Sequence, residues 1–149
     1  MKILRFTLLV LFMTGLPVLA GSHELTVKML TNGPNGLQYV FDPMFIKANV
    51  GDTISFEPVD KNGHTSISVL VPPGATPWKA APNADIKVKL AKPGVYLVEC
   101  DVHKVMGMVA VVQVGKAVNL ADAKTKAAEE SAHMATNKDR FEKLLAMVK

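Results

Sequence analysis

The chain has 149 residues, of which 49% are hydrophobic and 20% charged, so it is long enough to bury the core of one compact domain. Its formal net charge of +4 comes from 17 basic and 13 acidic residues scattered along the sequence. No basic run interleaved with aromatic residues appears, which argues against nucleic-acid binding, and a single cysteine excludes an internal disulfide.

The first 20 residues are typical of a secretory signal peptide. Lys2 and Arg5 give a basic start, and residues 6–13 form an apolar stretch. The helix-breaking residues Gly15 and Pro17 follow. The apolar stretch is too short for a stable membrane-spanning helix, although an uncleaved membrane anchor is the alternative. We expect cleavage after Ala20, which leaves residues 21–149 as the mature, exported protein.

Short alternating segments separated by turn residues follow and predict β-strands. Apolar and polar residues alternate in most of these segments, and Gly, Pro, Asn and Asp fill the turns between them. The predicted strands are 24–30, 37–41, 45–50, 53–56, 65–69, 85–90, 95–100 and 107–114. This number and spacing of short strands predicts an all-β, antiparallel sandwich.

Beyond the last strand the pattern becomes helical. Asn119 can cap a helix over 120–130, and residues 136–139 have the order of a capping box. Apolar residues at helical spacing follow at Phe141, Leu144, Leu145 and Val148. Both helices are too weakly apolar to form a domain alone, so we expect one domain, 21–149, whose C-terminal extension 116–149 packs on the sandwich.

A cluster of soft metal-binding side chains lies between the last two predicted strands. Cys100 is followed by His103, and Met106 and Met108 lie just beyond. A thiolate, an imidazole and a thioether are three ligands of a blue-copper electron-transfer centre, and His64 is the candidate for the missing imidazole. Thiolate and thioether suit Cu(I), while imidazole suits both oxidation states, so this set predicts a copper site.

Each of these residues also has a simpler interpretation. A buried Cys is often only a small hydrophobic residue, Met106 and Met108 fit the spacing of a strand, and His64 follows a turn. An unpaired Cys in an exported all-β chain, with His and Met at short offsets, favours the metal site. A Cys–His nucleophile lacks an orienting Asp or Asn and an oxyanion loop here, so we expect no enzyme.

The segment Cys100–Met108 resembles the ligand loop of cupredoxins, and specifically that of the pseudoazurin family. The resemblance extends to residues 41–43, 46–53, 58–64 and 92–98 and to the two C-terminal helices, which is nearly the whole expected mature chain. It implies a Greek-key, cupredoxin-like sandwich and one type 1 copper ion that cycles between Cu(I) and Cu(II). The implied copper ligands are His64, Cys100, His103 and Met108.

The axial ligand has an alternative within the same loop. Amicyanins resemble this loop too, but their axial Met comes two residues sooner, which selects Met106 here. The Met-Gly-Met ending and the two-helix tail resemble pseudoazurins and favour Met108.

The sequence departs from the family pattern around the expected site. Val102 stands where a Pro is common, Glu99 where a Lys is common, and Tyr39 where many members have Met. Thr65 stands where an Asn is common, and its hydroxyl can still hydrogen-bond to the Cys100 loop. These changes leave the ligands in place and bear on the redox potential.

The resemblance implies a monomeric periplasmic electron carrier, and the alternative function is a periplasmic copper-binding or delivery module without a fast redox role. Electrons are expected to pass through the exposed edge of His103, within an apolar patch of Pro58, Val102, Met106 and Tyr39. The implied acceptor is a copper nitrite reductase or a similar respiratory enzyme, and the implied donor is a cytochrome. Lys61 and Lys104 favour an acidic partner, and Glu99 and Asp101 oppose this.

Two further histidines are less informative. His23, near the expected new N-terminus, can bind stray copper, although a solvated side chain is the simpler interpretation. His133 in the helical tail is expected at the surface.

Overall fold

The computed structural model describes residues 21–149, so the expected signal peptide, residues 1–20, lies outside the described residues. Within 21–149, two four-stranded sheets are followed by two α-helices. The strands are β1 (Glu24–Asn32), β2 (Gln38–Asp42), β3 (Phe45–Ala48), β4 (Thr53–Pro58), β5 (Ile67–Leu70), β6 (Ile86–Lys89), β7 (Gly94–Glu99) and β8 (Val109–Val114). The helices are α1 (Leu120–Ala132) and α2 (Arg140–Leu145).

Each sheet combines antiparallel and parallel pairings. One sheet has the strand order β2-β1-β4-β6, and the other has the order β3-β8-β7-β5. β1 pairs in parallel with β4, and β3 in parallel with β8, while the other neighbours are antiparallel. After β2 the chain crosses to the second sheet, where it forms β3, and then returns to the first sheet, where β4 lies beside β1. The predicted all-β sandwich is confirmed, with mixed sheets in place of purely antiparallel ones.

The inward faces of the two sheets enclose an apolar core. The alternation seen in the sequence places Val27 and Met29 of β1, and Ile54 and Phe56 of β4, on the buried face. The indole of Trp78 stacks on Phe56 with ring centroids 5.9 Å apart, so the long loop between β5 and β6 is anchored in this core.

The two helices cover the outer face of the second sheet. β7 and β8 are buried along their whole length because their outward residues, such as Leu97 and Val111, pack against Ala123 of α1 and Phe141 of α2. The expected packing of the tail on the sandwich is therefore confirmed. No helix within residues 21–149 has the length and apolar character needed to cross a membrane.

The polar residues predicted to cap the two helices do not form side-chain caps. Asn119 precedes α1, but its side chain pairs with the backbone of Val95, accepting from N–H at 2.7 Å and donating to the carbonyl at 2.9 Å. The predicted capping box at 136–139 is wrong, because α2 begins at Arg140 without a side-chain cap. A buried strand backbone needs these partners more than a helix end open to water does.

Candidate metal centre

Three of the predicted ligands meet at one end of the sandwich. His64 lies in the loop between β4 and β5, while Cys100 and His103 lie in the loop that joins β7 to β8. One ligand atom from each of these residues lies within 4.8 Å of the other two. In the part of the chain from 21 to 149, this is the one group of three His, Cys, Asp or Glu side chains that converges in this way.

The 100–108 loop is a compact turn that places its side chains toward one point. The N–H of His103 donates to the carbonyl of Cys100 at 3.1 Å, and the N–H of Cys100 donates to the carbonyl of Met108 at 3.0 Å. Gly107 has a φ of +70°, which reverses the chain before β8. The Cys100 sulfur consequently lies 3.5 Å from Nδ1 of His103.

His64 presents a free lone pair to this point. Its Nε2 lies 3.0 Å from Oδ1 of Asp60 and 3.1 Å from the hydroxyl of Thr31. A carboxylate only accepts hydrogen bonds, so Nε2 holds the proton and Nδ1 holds the lone pair. The His64 side chain is fully buried, and its Nδ1 has no hydrogen-bond partner among residues 21–149. A buried, unpaired imidazole nitrogen beside a thiol fits a metal ion.

Asp60 is held in its ionised form. Partial burial opposes ionisation, but the backbone N–H and the hydroxyl of Thr31, both at 2.9 Å, and the nearby His64 outweigh it and lower the pKa of Asp60. An ionised Asp60 keeps the proton of His64 on Nε2. It therefore fixes the orientation and the tautomer of the ring before any metal binds.

Thr65 provides two hydrogen-bond donors to the Cys100 sulfur. Its N–H lies 3.4 Å and its hydroxyl 3.7 Å from Sγ, and the same hydroxyl accepts from the N–H of Asp101 at 2.8 Å. Cys100 itself is fully buried. The hydrogen bond expected between Thr65 and the Cys100 loop is confirmed, and Thr65 ties the His64 loop to the Cys100 loop.

The two methionines of the loop have different surroundings. Met108 is fully buried and belongs to the same core cluster as Cys100. Met106 is half-buried, and its carbonyl accepts from the side chains of Thr136 and Asn137 at 3.2 and 2.9 Å. Met108 is thus a buried thioether in the cluster that contains Cys100, whereas Met106 lies in the surface turn.

Arg140 is a buried residue at this site that the sequence analysis missed. Its Nη1 donates to the carbonyl of Gly107 at 2.5 Å and to the carbonyl of Tyr39 at 3.0 Å. Burial lowers the pKa of the guanidinium. The one sequence feature that marks this residue is its position in a short helix otherwise expected to pack with apolar side chains.

His103 is the member of the cluster that reaches the surface. It is half-buried, whereas His64 and Cys100 are fully buried. The ring of Tyr39 lies 4.6 Å from that of His103. Val102, Val105 and Met106 belong to the same loop as His103. The His103 patch is defined here as these three residues with Tyr39, Pro58 and Val59, all of them at least partly exposed; Val59 and Val105 were not predicted.

The charged residues near this patch leave a small positive excess, to which the exposed Lys61 contributes. Lys104 and Lys79 each lie 3.2 Å from the carboxylate of Asp101. Glu99, expected to oppose an acidic partner at the surface, is only 2% exposed. Its burial, followed by the proximity of Glu130, raises the pKa of Glu99 to about 7. The patch is therefore mainly apolar.

Comparisons with known proteins identify relatives that match most of the chain. A model of copper-binding proteins of the plastocyanin/azurin family matches residues 27–115. Pseudoazurin of Methylorubrum extorquens is 39% identical over 145 residues, which cover 95% of this chain and 92% of the relative. Pseudoazurin of Paracoccus pantotrophus is 41% identical over 111 residues, which cover 73% of this chain and 74% of that protein.

Solved pseudoazurin structures are also similar to most of this chain. Native pseudoazurin from Hyphomicrobium denitrificans superposes with a TM-score of 0.72 at 34% identity, covering 85% of this chain and 98% of that one. The pseudoazurin structure from Methylobacterium extorquens AM1 gives a TM-score of 0.72 at 37% identity, covering 85% of this chain and 99% of that one. The expected cupredoxin-like fold is thereby confirmed.

Proposed function

Because the chain belongs to the pseudoazurins, within the plastocyanin/azurin family of copper-binding proteins, we propose that it carries single electrons in the periplasm. Membership of this family identifies the chain as a copper-binding electron-transfer protein. The identity of the ligands, the compartment and the partners are the parts that we add.

We assign the copper ligands to His64, Cys100, His103 and Met108. Two imidazoles, a thiolate and a thioether suit Cu(I) and Cu(II) alike, and the bound ion supplies the one-electron couple. The observation that supports this assignment most directly is the buried Nδ1 of His64, which has no hydrogen-bond partner among residues 21–149 and lies in the cluster with Cys100 and His103. For the axial position, the full burial of Met108 beside Cys100 favours it over Met106.

The surrounding residues hold this geometry before copper binds. Asp60 and Thr31 fix the ring of His64, while Thr65 donates to the sulfur of Cys100. A site held from outside changes little when its charge changes, so little reorganisation accompanies each electron. This rigidity favours an electron carrier over a copper-delivery module, which must release its ion.

We further propose that electrons enter and leave through His103 and that the His103 patch contacts the partners. Small, mainly apolar contacts suit a carrier that must leave its partner after each turnover. Because Asp101 offsets only one of the two charges of Lys79 and Lys104, a small positive charge remains, and we expect a modest dependence of association on salt. The proposed acceptor is a copper nitrite reductase or a similar respiratory enzyme, and the proposed donor is a cytochrome.

We propose that the protein is exported with cleavage after Ala20, which the sequence of residues 1–20 supports. The mature protein, residues 21–149, is proposed to act as a monomer, because a carrier needs its patch free for two successive partners.

The first experiment is the visible absorption spectrum of the mature protein with one equivalent of Cu(II), beside a Cys100→Ala variant. We expect an intense blue thiolate-to-copper band that ascorbate bleaches and that the variant lacks. A protein that binds copper without this band would fit the copper-delivery alternative, and the electron-carrier proposal would then be abandoned.

A further inference from the structure

We propose that the mature protein has a second metal site at its N-terminus, a square-planar site for Cu(II) or Ni(II) formed by Gly21, Ser22 and His23. The inference rests on the proposed cleavage after Ala20, because only that cleavage gives Gly21 a free α-amine and makes His23 the third residue. The ligands are the α-amine of Gly21, the amide nitrogens of Ser22 and His23, and Nδ1 of the His23 imidazole.

Planar sets of nitrogen donors are the arrangement that Cu(II) and Ni(II) favour. These donors belong to consecutive residues and therefore close small fused chelate rings around one ion. Neither Ser22 nor His23 is a proline, so both backbone N–H groups are present. Binding displaces their two protons and that of the α-ammonium group into solvent, and the two anionic amide nitrogens balance the charge of the ion.

The structure places two of these ligands side by side. The N–H of His23 donates to Oδ1 of Asp52 at 2.9 Å, and Nδ1 of the His23 ring lies 3.5 Å from the same oxygen. Both nitrogens of His23 therefore lie on the same side of the residue, and an ion that binds them takes the place of the hydrogen bond to Asp52. The side chain of His23 is 70% exposed, and Gly21 and Ser22 are exposed ahead of β1, so an ion can approach from solvent.

Asp52 favours the approach of a cation. The backbone N–H of His23 and then that of Asn49 lower the pKa of this carboxyl, so it is ionised at neutral pH. Coordination of the His23 amide removes one of these hydrogen bonds, while the bond from Asn49 to Oδ2, at 2.7 Å, keeps the carboxylate in place.

The second site is remote from the cluster around Cys100. β1 begins beside His23, and Thr31, near its other end, contacts His64. The distance along the strand from His23 to Thr31 is about 26 Å, at about 3.3 Å per residue. The two sites therefore share no ligand. A nitrogen-only, square-planar site lacks the sulfur ligands that stabilise Cu(I), so it holds Cu(II) without cycling.

The test compares the chain that starts at Gly21 with one that has a single extra Ala in front of it, and with a His23→Ala variant. The extra residue moves His23 to the fourth position and removes no side chain, so it is the matched control. Each protein is titrated with Cu(II), and total bound copper is measured beside the blue absorbance. The titration is repeated with Ni(II) in the Cys100→Ala background.

We expect two equivalents of copper on the chain that starts at Gly21, of which one gives the blue band and the other a weak band with nitrogen splitting in its electron paramagnetic resonance spectrum. The extended chain and His23→Ala should keep the blue band and lose the second equivalent. In the Cys100→Ala background, Ni(II) should give a yellow, diamagnetic complex with the Gly21 chain alone.

Equal binding by the extended chain and the Gly21 chain would overturn the inference, as would a single equivalent on both. An N-terminal mass of the exported protein that places its start elsewhere would also overturn it, while leaving the electron-carrier proposal intact. Conversely, a second equivalent without any blue band would support the N-terminal site and refute the proposed carrier.

Discussion

Nη1 of Arg140 lies 2.5 Å from the carbonyl oxygen of Gly107, the residue between the two methionines of the 100–108 loop. The same nitrogen holds the carbonyl of Tyr39, whose ring lies against His103. One side chain from α2 thus connects the loop that bears three proposed copper ligands with the aromatic ring that covers one of them.

Replacement of Arg140 by Met should weaken both the fold and the copper site. It leaves two carbonyls without their partner, and an unpaired buried polar group costs about 1–3 kcal/mol. We expect a loss of that size in the free energy of unfolding of the apoprotein by urea, together with a shifted blue band. Lys143→Met, at a side chain that is 74% exposed, is the control. A fully stable Arg140→Met protein with an unchanged spectrum would contradict this role.

Gly107→Ala should disturb the same loop from the other side. Gly107 has a φ of +70°, and an added Cβ would lie 2.8 Å from Cβ of Asn137 and 2.9 Å from the carbonyl of Thr136. Gly36→Ala is the control, because its φ of +76° is similar but its Cβ would meet open space. We expect Gly36→Ala to cost about 1 kcal/mol of stability, the strain of the left-handed conformation, and Gly107→Ala clearly more. Equal losses in urea unfolding would show that the close approach has no effect.

Thr65→Val should lower the reduction potential. The variant keeps the shape and the backbone N–H but loses the hydroxyl that lies 3.7 Å from the Cys100 sulfur. A donor to the sulfur draws electron density from the thiolate and favours Cu(I). Loss of a hydrogen bond worth about 1 kcal/mol corresponds to about 40 mV for one electron. Voltammetry of Thr65→Val and Thr65→Ser measures this difference, and an unchanged potential in Thr65→Val would exclude the effect.

The axial ligand can be assigned by comparing Met108→Leu with Met106→Leu. Leucine retains apolar volume and removes the sulfur in each case. We expect Met108→Leu to raise the potential and change the copper hyperfine splitting, since the thioether is a weak donor to copper. Met106→Leu, at the half-buried position, should leave both almost unchanged. The opposite pattern would assign Met106 instead.

Tyr96→Phe should alter stability in alkaline solution. The Tyr96 hydroxyl donates to the carbonyl of Lys92 at 2.8 Å, and burial raises its pKa above the ordinary value of 10.0. The unfolded chain then ionises first, so this contribution to stability is complete below about pH 10 and is lost as the pH rises. We expect Tyr96→Phe to be about 1 kcal/mol less stable than the wild-type protein at pH 7. Above about pH 10 the variant should lose less additional stability than the wild-type protein does. Parallel urea curves at both pH values measure this.

Much of the fold follows from local patterns in the sequence. The alternation of apolar and polar residues predicts β1, β4 and β6 to within a few residues of their observed bounds. A strand with one buried and one exposed face requires this alternation. The convergence of Cys100, His103 and a distant His64 follows from their chemistry rather than from their spacing alone. Burial of Glu99 was not predicted, since α1 covers it and the sequence of β7 contains no sign of that cover.

Contacts between distant residues that share no recognisable metal or loop chemistry could not be predicted from the sequence. Arg140 and Tyr39 are 101 residues apart, and no local pattern joins them. Thr136 and Asn137 resemble helix caps, and only the folded structure shows that they bond to the carbonyl of Met106. A short polar side chain serves a helix end or a neighbouring loop equally well, and tertiary contacts decide between them.

The segment that holds the outside of the 100–108 loop lies in the helical tail and not in either sheet. Ala135 donates to the carbonyl of Val105, Asn137 to that of Met106 and Arg140 to that of Gly107. A nascent or truncated chain that ends before residue 135 contains every proposed ligand but none of these three donors. The same tail buries the outer faces of β7 and β8, so its removal would free the outside of the loop and uncover the sheet in one step.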